Sequence, residues 1–144
     1  MMTTVRHMLS AKPDVYAVKP GDTVYDALEL MAARNIGAVL VVSGSDLKGI
    51  FSERDYARRV ALHGKVSKET AVGEIMTTNV ICVEPGWTAE QCMALMTEKH
   101  IRHLPVLDRD RLVGVISIGD AVRAVLDEQQ FTISSLERYI QTGG

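Results

Sequence analysis

Apolar positions along this chain alternate between two periods in a fixed order. The run "VYAV" at 15–18 has strand character and stops at the turn pair Pro20-Gly21. Beyond it, Val24, Ala27, Leu28 and Met31 recur at helical spacing, which predicts a helix over about 24–34. Thr23, with Asp26 three residues on, is a capping-box signature for its start. "AVLVV" at 38–42 is apolar at every position, and "GSD" turns the chain back into "LKGIF" as the second arm of a hairpin. Another helix is expected at about 53–62. The same order returns in "VICVEPGWTA", in a helix over about 89–99 capped by Thr88 and Gln91, in "HLPVL" and "LVGVIS" joined through "DRD", and in a helix at about 118–127. Each unit reads strand, helix, strand, strand, helix.

Sliding the chain by 65 positions aligns 15–58 with 80–123 without a gap. Val15/Val80, Val18/Val83, Pro20/Pro85, Gly21/Gly86, Thr23/Thr88, Leu30/Leu95 and Met31/Met96 are identical, as are Ile36/Ile101, Val41/Val106 and Leu47/Leu112. "GIFSERD" and "GVISIGD" then share Gly49/Gly114, Ser52/Ser117 and Asp55/Asp120, followed by Arg58/Arg123. The expected organisation is a first repeat with its N-terminal segment and linker (1–70), a second repeat (71–130), and a C-terminal helix and tail (131–144). The central strands are apolar on both faces and should be covered on both. Helix 89–99 is apolar over much of its circumference, at Ala89, Cys92, Met93, Leu95 and Met96, which calls for a second contact with the other repeat or another subunit. A short helical turn is expected at about 71–76. Ser134-x-x-Glu137 reads as the cap of a separate tail helix carrying Ile133, Leu136 and Ile140, expected to dock on a neighbour.

A net charge of −2 with pI near 6.1 points away from nucleic acid as a partner. No apolar stretch approaches the ~20 residues of a membrane helix, and "MMTTVRHML" lacks the form of a signal peptide, so a cytoplasmic location with no membrane contact is expected. Cys82 and Cys92 have no CxxC spacing and read as reduced core cysteines. His100 and His103 lack a supporting carboxylate or thiolate, so no metal is expected.

Two readings compete for Ser-x-x-Asp. Ser52/Asp55 and Ser117/Asp120 have the spacing of a helix N-cap with an acid at N3, as Thr23/Asp26 do. A carboxylate at a strand-to-helix junction is also placed to accept hydrogen bonds from adjacent ribose hydroxyls, beside helix N–H groups that suit a phosphate. Arg102-His103 precede the central strand of the second copy where the first has Gly37-Ala38, and Pro105 leaves a gap in that strand's ladder.

The tandem unit, with "GIFSERD", "GVISIGD" and the "IRHLPV" strand, resembles a pair of cystathionine β-synthase (CBS) domains, a Bateman module, over about residues 5–127. The resemblance implies an α/β (α+β) fold of two pseudo-twofold-related β-α-β-β-α repeats packed through their sheets, plus the C-terminal helix. It implies adenosine ligands (AMP, ADP, ATP or NAD, in some members S-adenosylmethionine) in two clefts between the repeats. The motif Asp would hold the ribose, the Ser would lie near the phosphate, and the segment before the central strand would meet adenine through its backbone. Carried onto this sequence, one site would use Ser117, Asp120, Ile101, Arg102 and His103, with Thr78 and Val80 at the strand start. The other would use Ser52, Asp55, Ile36, Gly37 and Ala38, with Tyr16 at the strand start and Arg54 as a phosphate contact. The first copy, lacking the Arg-His pair, would take a different ligand, borrow charge from the second, or stay empty. The resemblance further implies an isologous homodimer, and any regulated protein would be a separate chain.

Three function classes follow: a nucleotide-sensing regulatory module without catalysis, a structural dimerisation unit with empty clefts, and a nucleotide-processing enzyme. The last is disfavoured. The chain has no GxxxxGK[ST], no GxGxxG after a strand and no Ser-His or Cys-His pair with an orienting group, so neither catalytic residues nor a catalytic cofactor is expected.

Overall fold

The computed structural model describes residues 2–12 and 14–143, the last two as backbone. In chain order the elements are α1 (Val5–Ser10), β1 (Ala17–Val18), α2 (Val24–Arg34), β2 (Ala38–Ser43), β3 (Asp46–Ser52) and α3 (Glu53–Asp55), which continues as a π-helical turn, Tyr56–Ala61. A 3-10 turn at Ser67–Glu69 leads to α4 (Val72–Ile75), then α5 (Ala89–Lys99), β4 (His103–Asp108), β5 (Arg111–Ser117) and α6 (Ile118–Gly143). This is a mixed α/β fold of two β-α-β-β-α repeats with two small sheets and a C-terminal helix.

The chain packs as two units that divide differently from the sequence segments. One comprises Asp14–Ile81 with Arg109–Leu112; the other comprises Met1–Pro13, Cys82–Asp108 and Val113–Gly144. The first-repeat unit carries β1-β2-β3, with Val18 parallel to Val41 and Val39 antiparallel to Phe51. In the second-repeat unit Val83 bridges Val106 in parallel, the equivalent pair 65 residues on. Val24, Val39, Val41, Phe51, Val60 and Val72 form the buried heart of the first unit.

Local signals hold at both copies. Thr23 accepts from the Asp26 N–H and Thr88 from the Gln91 N–H, each at 3.1 Å, and each N3 side chain reaches back to the cap N–H. Asn35 and His100 end α2 and α5 in the left-handed region, at φ 53° and 55°. The β4–β5 turn uses Arg109 and Asp110 at φ 52° and 65°.

The helical segment that precedes each repeat packs on the opposite repeat. Val5 and Arg6 of α1 donate backbone hydrogen bonds to the Trp87 and Pro85 carbonyls, whereas Val72 and Gly73 of α4 donate to Asp22 and Pro20. This exchange accounts for the glycine that opens each repeated phrase. A Cβ on Gly49 would stand 2.7 Å from the Thr77 carbonyl oxygen, and one on Gly114 would stand 2.5 Å from Leu9 Cδ2.

The tail corrects the sequence expectation. No break separates a helix at 118–127 from one after Ser134: α6 runs unbroken, and Ser134 Oγ accepts from the Gln130 side chain at 3.3 Å instead of capping. No proline or glycine lies between Asp120 and Thr142 to stop it. Among the described residues no helix is long and apolar enough to cross a membrane.

Candidate functional site

Both Ser-x-x-Asp motifs sit where the last strand of a repeat turns into a helix. In the first-repeat unit, Asp55 Oδ2 accepts from the Ser52 N–H at 3.0 Å and from its hydroxyl at 3.1 Å, while the Asp55 N–H donates to Ser52 Oγ at 3.2 Å. In the second-repeat unit, Asp120 Oδ2 accepts from the Ser117 N–H at 2.8 Å, and the Asp120 N–H donates to Ser117 Oγ at 3.1 Å. Each is therefore a capping box, the same device as Thr23/Asp26. The cap engages one carboxylate oxygen, and the two copies differ in what meets the rest.

Around Asp55 the neighbours are chiefly neutral. Thr77 Oγ1 donates to Oδ1 at 3.1 Å, and Arg59 Nε approaches the same oxygen at 3.9 Å while its Nη1 is spent on the Ile75 and Met76 carbonyls. The residue is 7% exposed. Around Asp120 the neighbours are cationic. Lys12 Nζ donates to Oδ2 at 2.7 Å and to the Val115 carbonyl at 3.2 Å, and Arg123 Nη2 donates to Oδ1 at 2.7 Å. Burial alone would raise the Asp120 carboxyl. The Lys12 and Ser117 hydrogen bonds and the Lys12 charge outweigh it, holding the group below its ordinary value and ionised at neutral pH.

His103, at the start of β4 and half-buried, faces the same charges. Burial, then Lys12, and more weakly Arg102, press the imidazole below its ordinary value of 6.5 against the opposing pull of Asp120. Lys12, Arg102, His103, Asp120 and Arg123 thus form one electrostatic cluster. Lys12 lies 108 residues from Asp120 in sequence, and nothing in the local pattern of "SAKPD" points to that meeting. Thr77 was missed for the same reason.

The remaining sequence-chosen residues are placed as follows. The Gly37 carbonyl accepts from the Glu53 N–H at 3.1 Å, and the Arg102 carbonyl from the Ile118 N–H at 2.8 Å, so both pin the turn into the helix. The Pro105 carbonyl takes the Val83 N–H at 3.0 Å. Each of these three oxygens thus has one backbone donor, leaving its second lone pair for any further partner. Ile36 and Ile101 donate to the Met31 and Met96 carbonyls, each at 3.0 Å, closing α2 and α5. Ala38 is buried at the start of β2, and Arg54 lies in the first turn of α3. Tyr16 lies under the Arg34 guanidinium, 5.0 Å from the ring centre. Thr78 and Val80, expected beside Asp120, belong to the packing unit of Asp55, next to Thr77. An open depression of about 410 Å³ borders Ile36, Gly37 and Glu53 in that unit. His100 serves as the α5 terminus, and burial pushes the Cys92 thiol up to about 11, which keeps it protonated and inert.

Comparison with known proteins agrees with this architecture. The family model described as "CBS domain" matches residues 5–62 and 72–127. The chain is 44% identical over 127 residues to the mitochondrial CBS domain-containing protein CBSX3 of Arabidopsis thaliana, covering 85% of this chain and 62% of that one. It is 34% identical to the CBS domain-containing protein YhcV of Bacillus subtilis, covering 83% of each. The solved structure of a putative signal-transduction protein with CBS domains from Burkholderia ambifaria superposes with a TM-score of 0.85 at 55% identity, covering 91% of this chain and 99% of that one. The repeated strand-to-helix caps, the parallel and antiparallel strand pairs at the same offset, and these matches together place the chain in the CBS domain family, as a tandem pair.

Proposed function

We propose that this chain is a non-catalytic regulatory sensor of an adenosine nucleotide (AMP, ADP, ATP or NAD). The observation that supports it is the unequal wiring of Asp120: a nearly buried, ionised carboxylate with one oxygen committed to the helix cap and Lys12, and the other held by Arg123. The Arg123 side chain is 71% exposed. With its guanidinium end in solvent, the pair is held by only about 1 kcal/mol, so a ribose diol can displace Arg123 from Oδ1 without disturbing the cap. The released guanidinium, with Lys12 and Arg102, then faces the phosphates, where charge-assisted bonds are the strong ones. The Asp55 counterpart offers Thr77 and a distant Arg59, so it should favour the less charged ligand. The likeness to a putative signal-transduction protein with CBS domains favours a regulatory role over catalysis.

Titration calorimetry with AMP, ATP and NAD tests the reading. At a hundredfold excess over its dissociation constant, a ligand of the folded form should add ~2.7 kcal/mol of stability. Product analysis after prolonged incubation should return the nucleotide unchanged. No heat and no melting shift with any adenosine compound would leave the motifs as helix caps and favour the structural-module alternative.

A further inference from the structure

The two exchanged segments start alike and end differently. The Thr3 and Thr70 carbonyls accept from the Ala89 and Val24 N–H groups, each at 2.9 Å, and the next two residues of each segment that donate, Val5-Arg6 and Val72-Gly73, bond the turn ahead of α5 or α2. Beyond that point α4 stops at Ile75 and the chain runs on extended. Thr77 and Ile50 then exchange two backbone hydrogen bonds, at 2.9 Å and 3.0 Å, which stitch that segment to β3. α1 instead continues to Ser10, and the Lys12 N–H closes its last turn on the Leu9 carbonyl at 2.9 Å. Among the described residues no backbone hydrogen bond joins this end to β5. The Val115 carbonyl, the repeat equivalent of Ile50, takes the Lys12 ammonium at 3.2 Å, and the same ammonium holds Asp120 at 2.7 Å. A helix of six residues that buries Val5 and Met8 has little stability of its own, so one side-chain charge carries the seating of its end.

Resting on the nucleotide reading above, we propose that Lys12 binds an anionic oxygen of the nucleotide and that this contact clamps residues 3–12 onto the second repeat. An ammonium carries three N–H donors, and Val115 and Asp120 take two of them, which leaves one for a phosphate oxygen. The Lys12 side chain is 32% exposed, so a ligand can reach it. Charge favours the same arrangement. Lys12, Arg102 and Arg123 gather about the single carboxylate of Asp120, and an anion bound among them gains charge-assisted hydrogen bonds. Such an anion bridges the loosely held end of the segment to the residue that precedes β4. The other end passes the effect on, because the Thr3 N–H donates to the Glu128 carboxylate of α6. Occupancy at Asp120 is thereby converted into the stability of the N-terminal segment and its tie to α6.

Amide hydrogen exchange of the full chain, read residue by residue by NMR, tests the clamp. Saturating ATP should slow exchange at Val5, Arg6 and Ala89 roughly tenfold more than at Leu107, a β4 amide bonded to the Val83 carbonyl at 2.9 Å. Adenosine at the same concentration, having no phosphate, should give these amides no such advantage over Leu107. Without ligand, Lys12→Met should keep its far-ultraviolet circular dichroism and exchange faster at Val5, Arg6 and Ala89. It should bind ATP roughly tenfold more weakly and lose the selective protection. Lys12→Arg, which keeps the charge, should retain that protection. ATP that binds the wild type without selective protection, adenosine that protects as well as ATP, or protection kept in Lys12→Met would overturn the clamp and leave the nucleotide reading standing. Failure of the wild type to bind ATP would overturn both.

Discussion

Replacing Gly49 by alanine tests how the exchanged segments are seated. The new Cβ would lie 2.7 Å from the Thr77 carbonyl oxygen, 2.8 Å from Met76 Sδ and 2.9 Å from Met76 Cγ. The methionine end can swing away; the backbone oxygen cannot. It is fixed by the Ile50 N–H at 3.0 Å, while the Thr77 N–H donates to the Ile50 carbonyl at 2.9 Å. Relieving the clash means prying the 76–77 segment off β3. Overpacking costs ~1–3 kcal/mol, and two weakened backbone hydrogen bonds add ~1–3. The stiffer unfolded chain gives back ~0.4–1. A net loss of ~2–4 kcal/mol is expected in urea unfolding, with faster hydrogen exchange at the Ile50 and Thr77 amides. Gly114→Ala meets only the flexible end of Leu9, at 2.5 Å, 3.3 Å and 3.4 Å, and should cost about half as much. If Gly49→Ala is within ~0.5 kcal/mol of the wild type, or Gly114→Ala is the worse of the two, the close approach of backbone is not what requires glycine here.

Asp120→Ala should weaken nucleotide binding by ~1.5–3 kcal/mol, tenfold or more, whereas Asp26→Ala, the same cap without the cationic cluster, should cost ~0.5–1 kcal/mol of stability and leave affinity unchanged. Calorimetry on the two variants separates a ribose ligand from a helix cap. Thr77→Val removes a donor to the buried Asp55 oxygen and should cost ~1–2 kcal/mol in chemical unfolding; a neutral result would mean that Arg59 closes the gap. Stability should fall on acidification. The His103 pKa lies below 6.5 in the folded protein, so the unfolded chain binds more protons as the pH drops through 6.5, and the loss levels off below the folded value. Asp120, also depressed, adds a further loss below 3.8. His103→Gln should remove the upper part of this dependence in melting scans between pH 7.5 and 5.5, and an unchanged profile would assign it elsewhere.

The hydrophobic period and the cap residues determined much of the fold. Helices expected over about 24–34 and 89–99 occur as Val24–Arg34 and Ala89–Lys99, because Thr23 and Thr88 fix their starts and Asn35 and His100 reverse the chain at their ends. The gap-free repeat made Val18 equivalent to Val83 and Val41 to Val106, and the structure pairs Val18 with Val41 and Val83 with Val106 in parallel alike. Both Ser-Asp motifs were legible as caps, since that bonding spans three residues. The tail was misread for an equally local reason: a Ser-x-x-Glu spacing inside a run of good helix formers carries no break of its own, and Ser134 found a partner one turn back. Tertiary structure alone decided the asymmetry of the site. Lys12 reaches Asp120 across 108 residues and Thr77 reaches Asp55 across 22, through segments exchanged between the repeats, and no periodicity encodes such a meeting. The repeated glycines belong to the same class. Their spacing was visible, but the reason for them is a neighbouring backbone or side chain that only the folded chain brings within 3 Å.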